Sequence, residues 1–126
     1  MAFVLSQSQS YSWPVVLRLP ADGGKREKST FDAVFKRLPQ SRINEIQQLV
    51  QQRLKAAEHN EDLDNGVTDQ SIADELLVGW AGVVDADGDE VPFTESAKAQ
   101  LLDVPMVAGA LIGAYFESLV EQKRKN

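Results

Sequence analysis

Two segments in the N-terminal third of the chain have strand-like patterns, and one of them alternates with a period near two, the spacing of a half-buried β-strand. A β-branched run at 15–19 begins after Pro14, where a strand tolerates proline. The segment 20–24, Pro-Ala-Asp-Gly-Gly, is typical of a tight turn. Beyond this turn the alternating apolar positions are Phe31, Ala33 and Phe35. We predict a β-hairpin or small antiparallel sheet over residues 13–38, resting on helices because an isolated hairpin is marginally stable.

A helical period of 3.6 residues replaces this alternation after Pro39. Ser41 is a suitable N-cap for a helix that we predict from about Arg42 to His59. Gln and Arg occupy one face of this helix, and the opposite face is an apolar stripe: Ile43, Ile46, Leu49, Val50, Leu54 and Ala57. The polar segment 60–68, with its Asn-Gly pair, is predicted to be a loop.

A second amphipathic segment begins at Thr68 or Asp69, either of which can cap a helix. Its apolar residues share one helical face and extend through Trp80: Ile72, Ala73, Leu76, Leu77 and Trp80. Residues 85–90, Asp-Ala-Asp-Gly-Asp-Glu, follow and predict a charged turn.

Two more helices are predicted near the C-terminus. Thr94 caps a short helix over about 95–103, and Pro105 suits the first turn of a longer helix that continues to about Gln122. The pattern therefore predicts an α+β fold, in which an N-terminal β-hairpin or small antiparallel sheet packs on about four α-helices and helix predominates.

Length and composition indicate one folded domain. The chain has 126 residues, 43% of them hydrophobic and 25% charged, and it has no cysteine, which excludes disulfides and cysteine-ligated metals. We expect a mobile N-terminal arm at 1–12, because its Ser/Gln run is poor in apolar residues. A single α+β domain is expected at 13–122 and a basic tail at 123–126.

Charge is distributed unevenly along the chain. The net charge of -6 is the sum of +4 over residues 1–59 (nine Lys/Arg, five Asp/Glu) and -10 over residues 60–126 (four Lys/Arg, fourteen Asp/Glu). The acidic excess argues against nucleic acid as a partner. The uncharged apolar stretch 104–116 is shorter than the roughly 18 residues of a membrane-spanning helix. We therefore expect no membrane association and a cytoplasmic location.

Few residues suggest catalysis or metal binding. The single histidine, His59, lies at a predicted helix end without a serine or cysteine nucleophile motif, so we interpret it as an exposed residue. Asp85, Asp87 and Asp89 resemble part of a calcium loop, but Glu90 replaces the required glycine and Ser96 replaces the bidentate glutamate. We predict no enzymatic activity, no catalytic residue, no metal site and no cofactor.

The last helix carries small residues four apart, at Gly109 and Gly113 and again at Ala110 and Ala114. Apolar side chains cover nearly its whole circumference, which indicates a buried helix. In a domain of this size the burial comes either from the chain's own core or from a second copy, and the sequence leaves both open.

The segment from Ile72 to Ser96 combines a helix ending in Trp-Ala-Gly-Val, an Asp-rich glycine turn and a Val-Pro-Phe-Thr helix start. A Leu-Leu-Asp-Val-Pro break and a long apolar helix ending in Tyr115-Phe116-Glu-Ser-Leu119 follow it. Over residues 69–119 this arrangement resembles the tail assembly chaperones of long-tailed phages and prophages. Trp80, Gly82, Gly88 and Phe93 carry the resemblance, and no single functional residue transfers with it.

The resemblance implies a small non-enzymatic protein of the host cytoplasm that is absent from the mature virion. Such chaperones bind the long tape measure protein, keep it soluble and help recruit tail tube subunits; they commonly exist in a short and a frameshifted longer form. A structural tail or head-completion component and an unrelated regulatory adaptor are the alternatives. Trp80 and Phe93 are either core or interface residues on the sequence alone, with a structural role favoured for both. We predict that partners bind at apolar and aromatic side chains: Ile43, Ile46, Val50, Leu54, Trp80, Phe93, Tyr115, Phe116 and Leu119.

The opposite charge of the two halves predicts that any self-association has an electrostatic component. If copies associate head to tail through this asymmetry, the association weakens as ionic strength rises through about 0.15 M, where screening acts within roughly 8 Å. Sedimentation velocity across a salt series measures this. Association that does not change with salt would instead assign the contact to the apolar helix at 105–120.

Overall fold

A computed structural model gives the arrangement of the chain and describes these residues: Phe3, Leu5, 8–58 and 68–120. Several predictions lie outside the described residues, namely those for His59, the loop at 60–67, the helix end at 121–122, the tail at 123–126, most of the arm, and the side chain of Ala57.

Two long strands form the predicted hairpin. Strand β1 (Ser10–Pro20) pairs antiparallel with β2 (Arg26–Lys36) in an unbroken register that places Val15 opposite Phe31. The chain reverses through a short 3₁₀ turn at Asp22–Gly24, where Gly23 has φ 78° and supplies the left-handed conformation that the turn needs. The predicted hairpin is confirmed, and β1 starts within the segment that we had assigned to the mobile arm.

The early start of β1 corrects the boundary of that arm. Tyr11 and Trp13 continue the inward alternation of Val15 and Leu17, and both are half-buried. Ser12, between them, is exposed and points to the other face of the strand, so a polar residue here marks an exposed strand face. Only the residues before Ser10 precede the strand.

A third strand, β3 (Leu77–Ala81), pairs antiparallel with β2, so the strand order is β1-β2-β3. Our prediction of one helical face extending through Trp80 was therefore wrong. Leu77 has extended dihedral angles, and Trp80 lies opposite Ala33 in the sheet. The free edge of β2 offers hydrogen bonds to a segment rich in β-branched and aromatic residues, and this tertiary pairing overrides the helical period.

Four helices follow the strands in the described residues: α1 (Gln40–Glu58), α2 (Asp69–Leu76), α3 (Glu95–Leu102) and α4 (Val107–Leu119). Thr68 and Thr94 cap α2 and α3 with side-chain oxygens that accept backbone N–H groups. The start of α4 differs from the prediction because Met106 takes a left-handed φ of 74° and separates Pro105 from the helix. The α+β prediction is confirmed, with more of the described residues in helices than in strands.

The hydrophobic core lies against one face of the sheet. The inward residues of β1 and β2 meet the buried side chains of α1, α2, α3 and α4 in one cluster, whose members from the strands are Val15, Leu17, Phe31, Ala33, Phe35 and Leu77. From the helices it contains Ile43, Ile46, Ile72, Ala73, Leu76, Leu102, Val107, Ala108, Leu111, Ile112 and Tyr115. The apolar helix α4 thus supplies a large part of the core within one chain.

Two polar contacts fix the helices around this core. The guanidinium of Arg42 on α1 donates two hydrogen bonds to the carboxylate of Glu75 on α2, at 2.9 and 2.7 Å. Lys98 on α3 is buried, and its Nζ donates to the carbonyl of Asp74 at 2.7 Å and lies 3.1 Å from the carboxylate of the same residue. Both contacts orient their helices relative to α2.

Among the described residues, no one helix has both the length and the apolar character of a membrane span. Together α3 and α4 reach them, with a bend of 97° between the two.

The Arg42–Glu75 pair predicts a pH dependence of stability. The hydrogen bonds from Arg42 hold the pKa of the Glu75 carboxyl below its usual range. A lowered folded-state pKa adds stability above the ordinary pKa of a glutamate, and that stability is lost as pH falls through the lowered value. We expect Glu75→Gln to reduce the free energy of unfolding at pH 7 by about 1 kcal/mol, because the pair is partly exposed. At pH 3 the difference shrinks.

Urea unfolding followed by tryptophan fluorescence at pH 7 and pH 3 measures both values. Glu45→Gln is the matched control, since Glu45 lies 3.6 Å from Arg42 and its side chain is 63% exposed. It should change stability by no more than a few tenths of a kcal/mol. An equal loss at both pH values for Glu75→Gln would contradict the assignment.

Candidate functional site

The side chains predicted to bind a partner occupy three separate regions. On α1, Ile43 and Ile46 are buried in the core, Val50 is half-buried, and Leu54 is 63% exposed. The apolar stripe of α1 therefore leaves the core after its first turns. Its outer part is the portion that a partner can reach without unfolding the domain.

Trp80 and Phe93 lie together on the inner side of β3. Their rings pack edge to face with centroids 4.8 Å apart, and the indole Nε1–H of Trp80 donates to the carbonyl of Val91 at 2.8 Å. The Nζ of Lys98 lies 5.8 Å from the centre of the Phe93 ring. Both aromatic residues are half-buried, and their contacts attach the segment after β3 to the sheet.

The third region lies at the end of α4. Tyr115 is buried and packs edge to face on Phe35 with a centroid distance of 5.3 Å, Phe116 is half-buried against Tyr115, and Leu119 is 44% exposed. The ring of Tyr11 on β1 lies 6.4 Å from that of Tyr115 and 6.1 Å from that of Phe35. These aromatic rings form a continuous wall from the sheet to the helix.

Beside this wall is an open groove of about 480 Å³, which we call the aromatic groove. It is lined by Ser8, Gln9, Tyr11, Lys36, Arg37, Leu38, Pro39, Tyr115 and Leu119. The groove is more apolar than polar, and Val120, 60% exposed, follows its rim residue Leu119. A groove with an aromatic wall and aliphatic rim suits the apolar face of a partner helix.

Polar contacts hold the aromatic wall in place. The hydroxyl of Tyr115 donates to the carbonyl of Lys36 at 3.1 Å. The hydroxyl of Tyr11 lies 2.6 Å from Oγ of Ser118, whose own proton goes to the carbonyl of Tyr115, so Tyr11 is the donor. Burial raises the pKa of Tyr115, which keeps its hydroxyl protonated and able to donate.

A cation covers one side of the groove. The guanidinium of Arg37 lies 4.8 Å from the centre of the Tyr11 ring, and its Nε donates to Oγ of Ser8 at 3.4 Å. This arrangement places a positive charge beside an apolar surface. The groove can therefore bind an apolar side chain with a neighbouring carboxylate.

Sequence reasoning found Tyr115, Phe116 and Leu119 but missed Tyr11 and Arg37. Tyr11 was placed in the arm because Ser residues surround it, although the alternation through Trp13 already indicated a strand. Arg37 carries no sequence signal, since only the pairing of β1 with β2 brings it to Tyr11. Long-range pairing of this kind is invisible to a local pattern.

The aromatic groove lies at the base of α1. Leu38 and Pro39 line it, and α1 starts at the next residue, Gln40. The half-buried Val50 and exposed Leu54 continue the apolar surface along the outer part of the helix. The described residues thus offer two apolar surfaces: the aromatic groove before the start of α1, and the outer part of α1.

The acidic turn after β3 is held together by hydrogen bonds between its backbone and the side chain of Asp85. One carboxylate oxygen of Asp85 accepts the N–H groups of Asp87 at 2.9 Å and of Asp89 at 3.0 Å. Carboxylate oxygens of all three residues lie within 4.8 Å of one another, and all three are exposed. Asp85 therefore has a structural role as the residue that closes the turn.

A comparison with protein families places the chain in a prophage context. The family model described as YdaY prophage protein matches residues 33–113, more than half of the chain. The chain therefore belongs to the YdaY prophage protein family, which confirms the prediction of a phage or prophage protein. Searches of curated proteins and of solved structures each found no match. The matched range includes α1, Trp80 and Phe93 and ends before Tyr115.

The contacts of the aromatic wall predict unequal roles for its two tyrosines. Tyr115→Phe keeps the ring packing but removes the donor to the carbonyl of Lys36, and we expect a loss of about 1 kcal/mol in the free energy of unfolding. Tyr11→Phe leaves Ser118 bonded to the carbonyl of Tyr115, so its loss should be smaller. Urea unfolding at pH 7 measures both. A larger loss for Tyr11→Phe would contradict this hydrogen-bond assignment.

Proposed function

We propose that this protein is a non-enzymatic tail assembly chaperone that binds the tape measure protein of its phage and keeps it soluble. Membership of the YdaY prophage protein family supports the phage context. The arrangement of turns and aromatics over residues 69–119 supports the chaperone role by resemblance.

One structural observation carries the proposal: the domain buries its own core and still exposes an apolar binding surface. The aromatic groove is walled by Tyr11 and Tyr115 and rimmed by Leu119, and Leu54 extends from α1. A tape measure protein is a long, mostly helical chain with apolar stripes. Docking of such a stripe into the groove is the helix-in-groove mode of recognition, which needs no catalytic group.

The proposal extends to location and timing. A chaperone of this kind acts in the host cytoplasm, helps to recruit tail tube subunits around the tape measure protein, and is absent from the mature virion. Weak binding at each groove is sufficient, because many copies along one long chain act together. Exposed rather than enclosed binding surfaces suit a protein that must later be displaced by the tube.

Co-expression with the tape measure protein encoded in the same prophage tests the proposal. We expect the chaperone to raise the soluble fraction of the tape measure protein and to co-purify with it. Failure of both would overturn the proposal. Mass spectrometry of purified virions then decides against the structural alternative, since a tail or head-completion component would be retained and a chaperone would be missing.

A charge placed at the groove rim should weaken this binding. We expect Leu119→Glu to reduce the co-purified tape measure protein at least about five-fold, because the carboxylate must be desolvated in the complex. Val78→Glu on β3 is the matched control, since Val78 is 42% exposed against 44% for Leu119 and lies outside the groove. Thermal unfolding confirms that both variants fold. Equal binding by the two variants would exclude the groove as the site.

A further inference from the structure

A second concave surface lies at the other end of the hairpin, away from the aromatic groove. It has a volume of about 320 Å³ and is lined by Val16, Leu17, Arg18, Leu19, Lys28, Met106 and Ala110. We call it the edge notch. Its exposed apolar residues are Val16, at 45%, and Met106, at 59%. Arg26 lies at its border, where its guanidinium is 3.8 Å from the sulfur of Met106.

The cations around the edge notch repel one another. Arg18 and Lys28 are direct cross-strand partners in the register of β1 and β2, and both are exposed. Like charges directly opposite each other destabilise a sheet. The notch therefore combines an apolar floor with a rim on which cations predominate, the features of a site for a ligand that is apolar and acidic.

The main chain at the notch limits the shape of that ligand. At both ends of the hairpin the β1–β2 hydrogen bonds involve odd-numbered residues of β1 or its flanks, Ala21 donating to Lys25 and Arg37 donating to Gln9. Given the unbroken register, the N–H groups of even-numbered residues point away from β2. Pro14 and Pro20 have no N–H to donate at this edge of β1. A ligand that adds a long strand to β1 is therefore disfavoured, and a ligand shaped as a short turn is favoured.

The same chain carries a turn with the matching properties. Asp87, Asp89 and Glu90 are exposed, and Val84 beside them is 56% exposed. The turn is preorganised by the carboxylate of Asp85 and by Gly88, whose φ of 83° a side chain rarely allows. Its clustered carboxylates repel one another, as the cations of the notch do. Contact between two such surfaces would relieve the repulsion within each of them.

We propose that the acidic turn at 84–90 of one copy docks in the edge notch of a second copy, with Val84 against Val16 and Met106 and the carboxylates against Arg18, Arg26 and Lys28. The two surfaces are different, so the interface is heterologous and propagates head to tail into a ring or a filament. This proposal does not depend on the chaperone function, because it concerns the purified protein alone.

Two charge-reversed variants of the full chain test the proposal. The notch variant carries Arg18→Glu and Lys28→Glu, and the turn variant carries Asp87→Lys and Asp89→Lys. By sedimentation velocity at about 0.05 M salt, the wild-type protein should form oligomers larger than dimers as its concentration rises, and each variant alone should be monomeric. Raising salt to about 0.5 M should weaken the wild-type association at least ten-fold.

Mixing the two variants gives the decisive result. The turn variant keeps an intact notch, the notch variant keeps an intact turn, and their altered surfaces carry opposite charges, so an equimolar mixture should form oligomers in which the two variants alternate. A single chain with all four substitutions should associate again through reversed charges. A control with Gln51→Glu, Gln52→Glu and Lys55→Glu changes the net charge as much as the notch variant, but on exposed positions of α1, and should associate like the wild type.

Several outcomes would overturn the proposal. These are a wild-type protein that stays monomeric, variants that associate as the wild type does, and a mixture that remains monomeric. Binding of a short DNA or RNA duplex that the notch variant alone loses, without self-association, would identify the edge notch as a nucleic-acid site instead. Circular dichroism of each variant confirms that the fold is retained.

Discussion

Burial of the inner face of the sheet is the constraint on which the rest of this structure depends. β1 and β2 form a long hairpin, and a hairpin alone is marginally stable in water. Phe35, near the end of β2, is fully buried and in contact with the rings of Tyr11 and Tyr115. α4 supplies Tyr115 and the apolar residues that precede it and packs directly on β1, while α2 packs against α4 and contacts β2 and β3. Without the helices that cover it, the hairpin would be only marginally stable.

The same constraint explains where the binding surfaces lie. The hairpin extends past the core at its turn end, where residues 26–30 are exposed, whereas at the other end Phe35 and Tyr115 are still buried. At one end the aromatic groove opens beside Tyr11, and at the other the edge notch opens beside Arg18. Each surface includes one core side chain, Tyr115 in the aromatic groove and Leu17 in the edge notch, so a partner that binds there contacts the margin of the core.

The fold also shows where the opposite charges of the two halves of the chain lie. Part of the positive charge of the first half of the chain collects at the hairpin end, and much of the negative charge described in the second half lies on one exposed turn. Surface charges usually contribute little to stability, so their clustering in like-charged groups has to be explained by something other than folding. The proposed docking of the turn in the edge notch of a second copy would give these clusters such a role.

Local periodicity was sufficient for the elements whose residues are neighbours in sequence. The alternation of Phe31, Ala33 and Phe35 predicted β2, and the cap positions Thr68 and Thr94 predicted the starts of two helices. Periodicity failed where a distant segment decides the outcome. Leu77 to Trp80 continue a helical pattern in sequence, yet they form a strand because β2 presents an unpaired edge to them. Tyr11 was assigned to an arm because its neighbours in sequence are polar, although its pairing with Phe35 makes it part of β1.

The sequence by itself determined the fold class, the hairpin, most helix boundaries and the resemblance to a phage protein, since these depend on local propensity, capping and pattern. The tertiary structure decided that Ile43, Ile46 and Tyr115 are core residues, that Trp80 packs on Phe93, and that Arg37 covers Tyr11. It also brought Arg18 opposite Lys28 and beside Met106. A linear pattern cannot show these contacts, because each joins residues that only strand pairing and helix packing place side by side.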